Sequence, residues 1–211
     1  MSAIPRRALV VIDVQNEYVT GDLPIEYPDV QTSLANIGRA MDAARAAGVP
    51  VVVVQNFAPA SSPLFARGSA GAELHSVVAS RERDHYVEKS LPSAFAQTGL
   101  ADWLAARGID TLTVAGYMTH NCDASTVFEA THRGLKVEFL ADATGSVPYE
   151  NDAGFASAED IHRVFSVVMQ SRFAAVATTD AWLAAVEAGV PLPVSNIYVS
   201  NQKARATQTA A

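Results

Sequence analysis

The sequence predicts an α/β fold: a doubly wound, three-layer arrangement with a six-stranded, mainly parallel sheet and helices on both faces. Three observations carry this. Aliphatic runs recur without polar alternation, such as ALVVI (8–12) and VVVV (51–54), and strands of that kind are buried on both faces. Segments with apolar residues at helical spacing separate these runs, and Gly48, Gly108, Gly134 and Gly189 follow them as stop signals. A closed eight-fold barrel needs more such units over typically about 250 residues, and this chain has 211.

The elements follow in order. ALVVI (8–12) is a buried strand that ends on Asp13, and residues 30–47 are an amphipathic helix before Gly48. VPVVVVQNF (49–57) is the second strand, 58–70 a loop, and 71–79 a short helix. HYVEKS (85–90) alternates and reads as a strand with Lys89 near its end. Residues 98–110 hold a helix, TLTVAG (111–116) a strand, 121–134 a helix and KVEFLAD (136–142) a strand. Residues 159–173 are helical, 174–179 a short strand and 180–189 a last helix. Strand and helix alternate through residues 1–189, which read as one domain. Residues 190–211 break the pattern as a C-terminal arm, with SNIYVS placed to contact another subunit and NQKARATQTAA frayed.

Composition narrows the function classes. A hydrophobic fraction of 49% supports a substantial core, and a net charge of −7 opposes nucleic acid or an anionic membrane surface as partner. The single cysteine forms no internal disulfide and no thiolate metal site, which fits a reducing, cytoplasmic setting. The start meets Asp13 before any long apolar stretch, so no signal peptide or membrane span is expected. The glycines of GSAGAE (68–73) lack the dinucleotide-loop spacing, and no phosphate loop is present. The five histidines show neither H-x-H nor H-E-x-x-H spacing. No cofactor and no metal are expected.

Three ionisable residues fall at the C-terminal ends of strands, where open parallel sheets build their sites: Asp13, Lys89 and Cys122. Each also has an ordinary structural role available: a turn cap, a surface lysine, a small core residue. Together they have a chemistry. At a helix start, backbone N–H groups lower a thiol's pKa, a carboxylate takes its proton, and a lysine favours the charged pair. His120, two residues before the cysteine, is a further pocket candidate.

The chain resembles the isochorismatase-like cysteine hydrolases over about residues 6–188. ALVVIDVQNEY matches that family's opening strand and its aspartate, VEKSLPSAF its lysine segment, and VAGYMTHNCDASTVFEATHRGLKVEFLADA its nucleophile segment. The resemblance implies a Cys122–Asp13–Lys89 triad, with Asp13 as general base and acid. It also implies a cis peptide at Tyr117–Met118 and an oxyanion site at the Met118 and Cys122 N–H groups. After the second strand, VQNFAPASSPLF lacks the aspartate and histidines of the metal-binding nicotinamidases, so a metal-dependent nicotinamidase is not expected. Retention of Cys122 points to hydrolysis of a small amide, carbamoyl or related C–N compound through a thioester. The alternatives are hydrolysis of an isochorismate-like vinyl ether and a non-catalytic small-molecule binding protein. Pocket candidates are Gln15, Asn16, Tyr18, Asn56, Phe57, Tyr117, His120 and Tyr149, with Arg67 on the long loop. The expected partners are a small-molecule substrate and water, and a second copy of the chain in a dimer or tetramer.

Overall fold

The computed structural model describes residues 4–209. Its main sheet holds β1 (Arg7–Ile12), β2 (Val51–Asn56), β3 (His85–Lys89), β4 (Thr111–Tyr117), β5 (Lys136–Gly145) and β8 (Ala175–Ala177), in the spatial order β3-β2-β1-β4-β5-β8, with every pairing parallel. All residues of β1 and β4 are buried, β1 around its aliphatic run and β4 with the hydroxyls of Thr113 and Tyr117 hydrogen-bonded inside. Alternation along β1 sends Leu9 and Val11 to one face and Ala8, Val10 and Ile12 to the other.

Helices cover both faces. On the first, α1 (Val30–Ala46) buries Leu34, Ile37, Met41 and Ala44, and α6 (Thr179–Ala188) buries Trp182. On the second, α3 (Leu100–Ala106), α4 (Ala124–His132) and α5 (Ala158–Arg172) contribute Leu100, Leu104, Val127 and Met169. Side-chain caps start the longer helices: Asp29 accepts from the Thr32 N–H at 2.9 Å and Ser157 from the Asp160 N–H at 3.1 Å. α6 stops at Gly189, whose φ of 66° is the left-handed geometry glycine adopts without penalty. A buried ion pair ties the N-terminal strand edges together. Arg7 donates to Glu138 at 2.8 Å, Trp182 Nε1 donates to the same carboxylate at 2.9 Å, and Arg7 also reaches the Val190 carbonyl.

Four details differ from the sequence reading. The expected helix at 71–79 is only α2 (Ser76–Ala79). β5 runs three residues further than 136–142, past an irregularity opposite Val114 and Gly116. Between the expected strand at 136–142 and the expected helix at 159–173 lies an antiparallel hairpin, β6 (Tyr149–Asn151) with β7 (Gly154–Ala156). The end expected to fray from residue 201 is helical through 209, as part of α7 (Ile197–Thr209). Asn196 accepts from the Val199 N–H at 2.9 Å at its start, and the Lys, Ala, Arg and Gln that follow are good helix formers. The last two residues of the expected frayed end lie outside the described residues.

Candidate active site

The sheet order reverses between β1 and β4. From β1 the chain proceeds outward to β2 and β3, and from β4 in the opposite direction to β5 and β8. Such a switch point opens a crevice at the C-terminal strand ends. Asp13 follows β1 there, Lys89 ends β3, and Cys122 lies beyond β4.

Local backbone fixes each side chain. Asp13 has a φ of 52°, unusual for a non-glycine residue. Its N–H donates to the Val54 carbonyl at 2.9 Å, and its carbonyl accepts from the Gln15 N–H at 2.8 Å. Gly116 stands opposite Ile12 with a φ of 121°, and a Cβ there would lie 2.0 Å from the Ile12 carbonyl oxygen. Only glycine lets β4 approach β1 this closely at the crevice. The Lys89 carbonyl is held by the Phe57 N–H at 2.9 Å. The Tyr117–Met118 peptide is cis. After it the chain makes one wide π-type turn, Thr119–Asp123, and only then enters α4. Thr126 Oγ1 donates to the Cys122 carbonyl at 2.7 Å and accepts from the Ala94 N–H at 3.0 Å, which locks the turn.

The three side chains converge. Lys89 Nζ lies 2.6 Å from Asp13 Oδ2 and 3.3 Å from Cys122 Sγ. The Asp13 and Lys89 side chains are fully buried. The Asp13 carboxylate is ion-paired by distance, yet neither oxygen has a well-directed hydrogen-bond donor among the described residues.

Electrostatics set the resting protonation. Burial raises the Asp13 carboxyl above its usual range, against the pull of Lys89. Burial works to lower the Lys89 ammonium, but the charges of Asp13 and Cys122 outweigh it and hold it above the usual lysine range. Burial, and then the Asp13 charge, push the Cys122 thiol far up. This corrects the expectation of a thiol lowered by a helix start: the sulfur sits in a buried π-type turn beside a carboxylate. The resting site is therefore a thiol next to an ion pair. Moving the thiol proton to Asp13 leaves the trio's net charge unchanged, since Lys89 then faces one anion, the thiolate, in place of another. Burial opposes each lone charge far more than it opposes that exchange.

The other expected pocket residues divide into two groups. Tyr18, His120 and Tyr149 gather near the cysteine. Burial, followed by the charges of Cys122 and Asp13, pushes the Tyr18 phenol up, so it stays protonated. His120 accepts or shares a hydrogen bond with Ser146 Oγ at 3.1 Å through Nδ1, while its buried Nε2 has no partner among the described residues. Its ring meets Tyr149 edge-on at 5.0 Å and Phe165 at 6.1 Å. Burial, aided by His162, pushes His120 down to about 4, so it is neutral at physiological pH.

The second group is held by other partners, although Phe57 lines a cavity of about 220 Å³ together with Arg67, Glu88 and Lys89. Tyr117 is fully buried with its hydroxyl 2.7 Å from Ser33 Oγ, which turns it toward the α1 layer, and its ring meets that of Tyr18 at 5.5 Å. Gln15 is also fully buried and brackets the Asn56 main chain, donating to its carbonyl and accepting from its N–H, both at 2.9 Å. Asn16 donates to the Ala70 carbonyl at 3.1 Å. Phe57 carries Arg67 over its ring at 3.9 Å, and that arginine pairs with Glu88 at 2.7 Å.

Two neighbours were missed by sequence reasoning. Asp123 is fully buried with both carboxyl oxygens unpartnered, and burial, then Asp13, push it well above the carboxylate range. Its position directly after the cysteine was the available signal. Phe165 comes from α5, and nothing in the local sequence links it to His120. A cavity of about 400 Å³ lies at the opposite sheet edge, lined by Thr111, Lys136 and Leu192 among others, far from this chemistry. No group of three or more His, Cys, Asp or Glu able to hold a metal occurs among the described residues.

The isochorismatase domain profile matches residues 7–181, spanning β1 through the start of α6. The chain belongs to the isochorismatase family. A crystal structure assigned to that family, from Burkholderia xenovorans, is 80% identical, covers 98% of this chain and 100% of its own, and superposes with a TM-score of 0.97. A cysteine hydrolase from Pseudomonas syringae is 27% identical over 87% of this chain and 93% of its own, with a TM-score of 0.81. Among curated relatives, a secreted isochorismatase effector from Verticillium dahliae is 36% identical over 65% of this chain and 71% of its own length. A ureidoacrylate amidohydrolase from Methylobacterium radiotolerans is 31% identical over 87% and 80%. Members of the isochorismatase family are hydrolases, amidohydrolases among them. No helix among the described residues of this isochorismatase-family chain is long and apolar enough to cross a membrane.

Proposed function

We propose that this isochorismatase-family chain is a cysteine-dependent hydrolase of a small amide, carbamoyl or related C–N compound, acting through a thioester. The observation that carries the reading is the buried Asp13–Lys89–Cys122 contact, with Lys89 bridging carboxylate and sulfur at 2.6 and 3.3 Å. Asp13 takes the thiol proton as Sγ attacks the substrate carbonyl. Lys89 stays charged and stabilises whichever of the two anions exists. The Met118 and Cys122 N–H groups receive the oxyanion. Protonated Asp13 then gives its proton to the leaving nitrogen as the C–N bond breaks, and a thioester remains on Cys122. Water, losing a proton to Asp13, attacks the thioester and releases the acid and the thiol. The cysteine hydrolase and the amidohydrolase among the relatives support this chemistry for this chain.

The test is release of ammonia or amine from a panel of small amides and carbamoyl compounds. Cys122→Ala and Asp13→Asn should each abolish it. Cleavage of a vinyl ether that survives Cys122→Ala but not Asp13→Asn would favour the ether-type reaction. An inert Cys122 would favour a binding protein.

A second copy of the chain is the proposed macromolecular partner. Val164, Val167 and Val168 form an exposed apolar stripe on α5, and Ile197, Tyr198 and Val199 expose another on α7. A sedimentation measurement showing only monomer would oppose this. A cytoplasmic location fits the buried unpaired thiol, while the secreted Verticillium relative speaks for another compartment. Cell fractionation decides between them.

A further inference from the structure

Among the described residues, Lys89 is the one cation whose charge reaches Asp13, Cys122 or Asp123. That cation is already committed: it lies 2.6 Å from the Asp13 carboxylate, with both side chains fully buried. A second carboxyl, Asp123, sits in the same buried region with neither oxygen partnered. The cation on the adjoining loop, Arg67, lines the small cavity beside Lys89 and is paired there with Glu88 and stacked on the Phe57 ring. Close to the cysteine in the chain lies a group of neutral rings: His120, whose buried Nε2 has no partner among the described residues, with Tyr149 and Phe165 against it.

We infer that the substrate is a small amide that carries no carboxylate. This rests on the amide-hydrolase reading above and narrows it. A substrate carboxylate entering this crevice finds no unpaired cation among the described residues, so its charge loses water without gaining a partner. A neutral amide meets aromatic surface at no such cost, and a cationic one gains attraction from the ring faces. The inference separates this chain from a ureidoacrylate amidohydrolase, whose named substrate is an anion.

Alkylation of the full-length protein tests it without knowledge of the substrate. Iodoacetamide, iodoacetate and 2-bromoethylamine are small electrophiles of similar size that present neutral, negative and positive groups to one thiol. Rates of Cys122 labelling are read by intact mass and divided by rates at a neutral small thiol at the same pH. The expected result is that iodoacetamide and 2-bromoethylamine each exceed iodoacetate by about tenfold or more, because the carboxylate of iodoacetate is desolvated without a cation to pair it. Tyr149→Arg, a change on the exposed hairpin, should raise the iodoacetate rate severalfold by adding a cation at the approach. Iodoacetate labelling as fast as iodoacetamide overturns the inference while leaving the nucleophile intact. Labelling of Cys122 by none of the three overturns the hydrolase reading and the inference with it.

Discussion

Replacing Lys89 by methionine keeps the aliphatic stem and removes the charge, so it isolates what the ammonium does. At the observed 2.6 Å, the attraction to Asp13 is about 6 kcal/mol at an effective dielectric of 20. The cost of burying both ions returns part of that, and removing one partner of a buried pair typically costs about 3–5 kcal/mol. For a domain of this size that corresponds to a fall in Tm of roughly 10 °C. The loss should depend on pH. Asp13 already has a folded pKa above its unfolded value, and without Lys89 it rises further. A raised carboxyl contributes stability that is complete below the unfolded pKa and is lost as pH rises through the folded one. Lys89→Met should therefore be best tolerated in acid and increasingly destabilised toward neutral pH. Without the ammonium, Asp13 holds its proton to higher pH and the thiolate loses its counter-charge, so turnover and Cys122 alkylation at neutral pH should fall by about 10²–10⁴. Melting curves from pH 4 to 8 and iodoacetamide labelling rates at each pH make up the assay. The double variant Asp13→Asn/Lys89→Met should regain thermal stability without regaining reactivity. A Lys89→Met protein that labels within about threefold of the parent at neutral pH refutes the argument, since a group worth even one factor of ten contributes about 1.4 kcal/mol.

The remaining predictions concern the scaffold. Gly116→Ala should lose about 3 kcal/mol or more, because the new Cβ meets the Ile12 carbonyl oxygen at 2.0 Å and φ is 121°. A urea midpoint within error of the parent would contradict the close approach of β4 to β1. Glu138→Gln should also cost about 3 kcal/mol or more by leaving the Arg7 guanidinium buried without its anion. The activity of the folded fraction should be preserved, and an unchanged melt counts against the pair. His120 has a folded pKa pushed down to about 4. The stability this neutral imidazole contributes is present above the usual histidine value and is lost as pH falls toward 4. His120→Phe should therefore flatten the decline in Tm between pH 6.5 and 4, and an unaltered decline removes His120 from the account.

The strands at the heart of the fold were legible because each is a short unbroken aliphatic run, and burial on both faces leaves that mark locally. The positions of Asp13, Lys89 and Cys122 were legible for a related reason: each polar residue interrupts or follows an apolar run, and a parallel sheet collects strand ends at one edge. The direction of the thiol's pKa was not legible. A cysteine before an amphipathic helix reads as a helix-start thiol, but the wide turn and complete burial appear only with the tertiary structure. Tyr117 shows the same limit. Its place beside the nucleophile suggested a pocket wall, whereas strand alternation and the neighbouring Ser33 on α1 turn it into the core. The meeting of His120 with Tyr149 and Phe165 joins three separate segments, and no local pattern marks such a contact. The arm's IYV triplet resembles a strand, but the cap at Asn196 and the helix-forming residues after it prevail.

The central claim is that Cys122 becomes covalently acylated with help from Asp13 and Lys89. Its most direct test is rapid-quench intact-mass measurement during turnover of an amide without a carboxylate. The account predicts a transient adduct on Cys122 with the mass of the acyl group alone. It should form together with one equivalent of released amine, decay to the acid, and be absent in Cys122→Ala. Turnover that proceeds at the full rate in Cys122→Ala, or with no acyl mass on Cys122 at any time, would contradict it.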